Sequence, residues 1–114
     1  MVAPEVVNIY RAKPSSLKKF IAVYGEGRET LATPKRISFG SVGYSDYTIH
    51  HDKERRRRYV ERHSLGHEDH AYSGRYTAGF WAMHLLWNKP SIVESARWIE
   101  HKYKSIKVVL HNQE

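Results

Sequence analysis

The run Leu17-Lys18-Lys19-Phe20-Ile21-Ala22-Val23-Tyr24 alternates strictly, with Phe20, Ala22 and Tyr24 on one side and Lys19, Ile21 and Val23 on the other. A period of two, carried by β-branched and aromatic residues, predicts a strand. Gly25-Glu26-Gly27 then reads as a turn, and Pro34 introduces a second strand over Lys35 to Phe39, so the two form a hairpin with a long connection. Upstream, Val6-Val7-Asn8-Ile9-Tyr10 sits between Pro4 and Pro14. Residues 1–16 are therefore expected as an N-terminal arm or a short edge strand, with a single domain over 17–114. At the other end, Ile106 to His111 alternates again and is expected to join the hairpin.

Three helices are expected between these strands. Asp52 is a good N-cap for a helix over 52–63, and Asp52–Arg56, Glu54–Arg58 and Arg57–Glu61 are spaced for ion pairs at i,i+4. Its apolar stripe is only Tyr59, Val60 and His63, so it should face solvent. The segment 77–87 is apolar nearly all round, with Phe80, Trp81, Met83, Leu85, Leu86 and Trp87, which marks a buried helix too short to span a bilayer. Ser91 with Glu94 three residues on is a capping box, and Ile92, Ala96, Ile99 and Tyr103 form one buried stripe. The fold class that follows is α+β: a small antiparallel sheet, hairpin plus C-terminal strand, covered by helices two and three.

Composition narrows the chemistry. The chain has 114 residues, no cysteine, and 19 Lys+Arg against 12 Asp+Glu, for a net charge of +7. Without Cys there is no thiolate ligand, disulfide or thiol nucleophile. No apolar run reaches membrane-spanning length, and the first residues lack the pattern of a secretory signal. The surplus of positive charge favours anionic partners, nucleic acid among them.

The densest charge is Lys53 with Arg55-Arg56-Arg57-Arg58 and Arg62 on the first helix. Successive arginines point about 100° apart, so the four wrap the exposed side. Two functions suit them: contact with phosphates, or docking onto an acidic protein neighbour. Tyr44, Tyr47, Tyr59, Tyr72 and Tyr76 near these bases suggest base stacking, against the commoner role of packing a ring and bonding its hydroxyl. His50, His51, His63, His67 and His70 tempt a metal reading, but their spacing matches no closed site. Asp46 with His50 has the chemistry of a general-base pair, yet no nucleophile elbow or phosphate loop accompanies it. No catalytic residue, metal or cofactor is assigned, and the expectation is a non-enzymatic protein, with a metal-dependent nuclease kept as the remote alternative. The loop Gly43, Tyr44, Asp46, Tyr47, Thr48 and His50 is expected to be structural. Asp46 and Thr48 would bond loop amides, Tyr44 and Tyr47 would pack under the helices, and Gly43 would permit an unusual φ.

Two motifs carry a resemblance: Gly43-Tyr-Ser-Asp-Tyr-Thr-Ile-His-His-Asp52, and Thr77-Ala-Gly-Phe-Trp-Ala-Met-His-Leu-Leu-Trp-Asn-Lys-Pro90. In this order and spacing, over residues 18 to 100, the chain resembles a family of small basic proteins encoded by nucleocytoplasmic large DNA viruses of algae and protists. It departs from that family between the first two helices, where Ser64 to Gly74 replaces a short basic segment. The resemblance implies no activity. It implies a setting, the virion or infected host cell, and with it a virion structural role such as a minor capsid protein with other virion proteins as partners. The alternative is a nucleic-acid-binding protein acting on the viral genome.

Overall fold

A computed structural model describes residues 5–13, 15–25, 35–64, 71 and 74–111. Four strands, β1 (Glu5–Arg11), β2 (Lys18–Tyr24), β3 (Lys35–Ser41) and β4 (Ile106–Leu110), form one sheet in the order β3-β2-β1-β4. β2 pairs antiparallel with both β3 and β1, whereas β4 runs parallel to β1. The α+β class and the hairpin stand, but the sheet is mixed rather than antiparallel, and the last strand joins through β1. The segment expected as an arm or edge strand lies inside the sheet. Val6, Val7, Ile9 and Tyr10 suit that place, because an interior strand carries apolar residues on both faces. Pro4 falls before the strand begins.

Register follows from burial. Phe20 opposes Phe39, Ala22 opposes Ile37 and Ile9, and Val7 lies between Tyr24 and Val108. All of these side chains are buried on one face. A slip of one residue would turn Lys19 and Arg36 into the core, so the pairing is strongly specified.

Among the described residues, every helix lies between β3 and β4 in the chain. They are α1 (Tyr47–His50), α2 (Lys53–His63), α3 (Ala78–Trp81), which runs on through a π-turn at Ala82–Leu86, and α4 (Ile92–Lys102). Each has its own cap: Asp46, Asp52, Thr77 and Ser91 accept from backbone N–H groups of the first turn. Of the expected capping box, the Ser91 Oγ bond from the Glu94 N–H is made at 3.1 Å. The apolar segment 77–87 thus appears as an α-turn opening into a π-turn. The widened turn keeps Met83, Leu85 and Leu86 all buried. The π-turn and α4 pack on the sheet with Trp81, Phe80, Ala96 and Ile99 in the core.

Polar tips inside this core converge. The carbonyl of Arg75 accepts from Tyr24 Oη at 2.7 Å and from Trp81 Nε1 at 2.9 Å, so two large rings are anchored at one point. Burial, with the Glu5 carboxylate nearby, pushes the Tyr24 hydroxyl far above the ordinary tyrosine range. At the edge, α4 closes β4. The Val108 N–H donates to Glu100 Oε2 at 2.9 Å, its carbonyl accepts from Arg97 Nη2 at 3.1 Å, and Arg97 and Glu100 pair at 3.2 Å. Those two backbone groups would otherwise offer a template for another strand.

Candidate functional site

Asp46 organises the corner from which the site grows. Its Oδ1 accepts from the Thr48 N–H at 2.9 Å and from the Thr48 hydroxyl, and its Oδ2 meets Lys19 Nζ at 2.7 Å. The Asp46 side chain is 3% exposed and that of Lys19 17%, so this ion pair ties β2 to the start of α1 in a nearly dry place. His51 then takes a left-handed conformation, φ 55°, and the chain turns sharply into α2. The Asp52 N–H donates to His50 Nδ1 at 2.8 Å, which leaves the His50 proton on Nε2. Asp46 and His50 do not bond each other among the described contacts, so the general-base pairing is not assembled. Tyr47 is buried as expected and Gly43 has φ 94°, but Tyr44 points out and is 75% exposed. The expectation that Tyr44 packs under the helices is therefore corrected.

The arginines of α2 divide into three groups by direction. Arg57 bonds Glu54 and lies 2.6 Å from Glu61, along its own helix and outside the lining of the cleft that Arg55, Arg58 and Arg62 face. Arg56 Nε donates to the Asn88 carbonyl at 3.0 Å, and its guanidinium lies over the Tyr47 ring. Arg55, Arg58 and Arg62 share the remaining face, since positions i, i+3 and i+7 fall within about 60° at 3.6 residues per turn. Of the three ion pairs expected along this helix only Arg57–Glu61 forms. Asp52 instead caps the helix through the Glu54 and Arg55 N–H groups, which hold its carboxyl below the usual range. Arg55, Arg58 and Arg62 make no ion pair among the described residues. The arginines do wrap the exposed side of the helix, and Arg55, Arg58 and Arg62 share one face of it.

That face looks into a cleft of about 760 Å³ between α2, the β2–β3 hairpin and the π-turn. Arg55, Arg58, Arg62 and His63 line one wall, and Lys18, Ser41 and Tyr44 the other. The lining also includes Gly40, Gly79, Ala82 and Leu86, small or apolar, and the missing side chain of Gly40 makes room for Leu86. Tyr59 stacks on Trp87 with ring centroids 4.2 Å apart and planes 3° from parallel, fixing α2 to the end of the π-turn. The one acid in the lining, Asp46, is already neutralised by Lys19. The walls of the cleft therefore present several cationic donors with no free carboxylate in the lining, a chemistry complementary to anions.

Of the residues expected to bind, the cleft gathers Arg55, Arg58 and Arg62. Lys53 is exposed but does not line it, Arg56 is structural, and Arg57 is spent on its own helix. The partner missed from sequence is Lys18. Its signal was the Lys18-Lys19 pair at the start of a strand, which only the β2–β3 register places opposite α2. Tyr47, Tyr59 and Tyr76 have packing roles: Tyr76 lies against Tyr24 and donates to Glu5. Tyr72, His67 and His70 lie outside the described residues. Among those described, no group of three His, Asp or Glu side chains could hold a metal ion, and no helix is long and apolar enough to cross a membrane.

Fold and site together define a small α+β domain with a cationic, aromatic-rimmed cleft. The chain belongs to a family of unknown function, DUF5754, whose model matches residues 7–63, half the chain and nearly all of β1 through the end of α2. No curated protein and no solved structure matches it.

Proposed function

We propose that this protein binds nucleic acid, without catalysing a reaction, by laying a phosphate backbone along the Arg55–Arg58–Arg62 face of α2 with Lys18 on the opposite wall. The observation that carries this reading is the concentration of three guanidinium groups, with no ion pair among the described residues, on one side of a concave site whose single acid is internally neutralised. A virion scaffold contact, the role expected from the motif resemblance, calls for a broad face with an apolar centre depleted of charge. The cleft shares the apolar lining, but it is concave and cations line both of its walls, so its shape and charge favour the nucleic-acid alternative. A viral genome is the polymer that the same resemblance suggests.

The test is fluorescence anisotropy of labelled oligonucleotides across a salt series. Binding should weaken log-linearly with salt, and the triple change of Arg55, Arg58 and Arg62 to Gln should abolish it at about 0.15 M ionic strength while the fold persists. Failure of the unaltered protein to bind any oligonucleotide at low salt would overturn the reading.

A further inference from the structure

We infer that the nucleic acid is single-stranded, and that the turn Val42-Gly43-Tyr44 is a wedge that takes one base on Tyr44 and admits a neighbouring base to an apolar cavity behind it. This rests on the phosphate-binding reading above and adds to it the form of the polymer. The turn joins β3 to α1 and carries two large side chains outward: Val42 is 56% exposed and Tyr44 75%. Gly43, with φ 94°, sets the turn, and the position of its missing Cβ is clear of other atoms to 4 Å. The tip therefore stands away from the body of the protein. Such an outward pair has no part in the core, and an exposed ring in the same cleft as guanidiniums that make no ion pair among the described residues is what a base can stack upon.

Each side of the wedge has its own cavity. Tyr44 lines the arginine cleft. Val42 lines a second cavity of about 680 Å³, walled by Phe20, Ile49, Ile92 and Val93, with Arg11 and Lys13 among its other lining residues. Ile49 and Val93 are more than half exposed there. The two cavities share Lys18, Lys19 and Asp46, so a strand crossing at Lys18 enters both. The occupant must be anionic to match Lys18 and Lys13, and it must present flat apolar surface to match Val42, Ile49 and Val93. Unstacked bases on a phosphate chain do both. A duplex keeps its bases paired inside and offers only its backbone to a narrow site.

The experiment compares a single strand of about 12 nucleotides, its duplex, and an abasic deoxyribose-phosphate chain of equal length. The proteins are the unaltered chain and the variants Tyr44→Ala, Tyr44→Phe and Ile49→Ser, each checked for an unchanged melting temperature. The single strand should bind at least about tenfold more tightly than the other two, and Tyr44→Ala should weaken it about 5- to 100-fold with the salt slope unchanged. Tyr44→Phe should retain binding, because the ring is kept, and Ile49→Ser should lose several-fold. Equal binding of strand, duplex and abasic chain, with Tyr44→Ala neutral, overturns the wedge but leaves the phosphate cleft standing. Absence of binding to all three overturns both.

Discussion

His50 holds its proton on Nε2 because the Asp52 N–H occupies Nδ1, and its ring lies between Tyr47 and Trp87. Nε2 itself finds no partner among the described residues. Burial, and then the charge of Arg55, disfavour the imidazolium and lower the His50 pKa, while Asp52 and Asp46 oppose this more weakly. A histidine with a lowered folded pKa binds fewer protons than its unfolded counterpart. Its contribution is complete above the unfolded pKa of about 6.5 and is lost as pH falls from there through the folded pKa. Protonation of Nδ1 would also remove the acceptor that starts α2. We expect the stability difference between the protein and its His50→Asn variant to shrink as pH drops from 7 towards 5. Asn keeps an acceptor near the Nδ1 position and does not titrate, and the other histidines cancel in the difference. Chemical denaturation at several pH values checks it, and a pH-independent difference would disprove this role for His50.

At the scale of elements, the pair on α4 that closes β4 gives a second test. Changing both Arg97 and Glu100 to Ala removes the partners of the Val108 N–H and carbonyl, with an expected loss of about 1–2 kcal/mol by urea denaturation. Water can replace part of these bonds, which keeps the cost small. The newly open edge should also show as concentration-dependent association in sedimentation. Elements of this kind were legible unevenly in the sequence. Leu17 to Tyr24 declared its strand by alternation, and Asp52 and Ser91 marked helix starts because capping is local chemistry. Alternation says which face a strand buries, not its neighbour or direction, so β1 passed for an edge and β4 for an antiparallel partner. The binding face was half legible. Spacing alone places Arg55, Arg58 and Arg62 together on a helix, but the choice of Arg57 rather than Arg58 as partner of Glu54 depends on rotamers. Lys18 entered the site through strand register, which no local pattern contains.

For the whole molecule the decisive quantity is where the net charge of +7 is left unspent. Glu5 takes Arg75 and Tyr76, Asp46 takes Lys19, Glu54 and Glu61 take Arg57, and Glu100 takes Arg97. These acids are paired away from the cleft or neutralised within it, and the cleft-lining Arg55, Arg58 and Arg62 make no ion pair among the described residues. If net charge alone drove binding, any Arg→Gln change would act alike. If the cleft drives it, Arg57→Gln and Arg58→Gln should differ although each removes one charge. With four cleft cations engaged, log affinity for a single strand should fall with log salt at a slope of roughly −3. Arg58→Gln should lower that slope by about 0.7, whereas Arg57→Gln should leave it unchanged. Arg57→Gln also releases Glu54 and Glu61 from their pairs, so its effect on affinity should come through helix stability and appear equally at all salt concentrations. Equal slopes for the two variants would show that the polymer responds to the overall field of a basic protein rather than to this cleft.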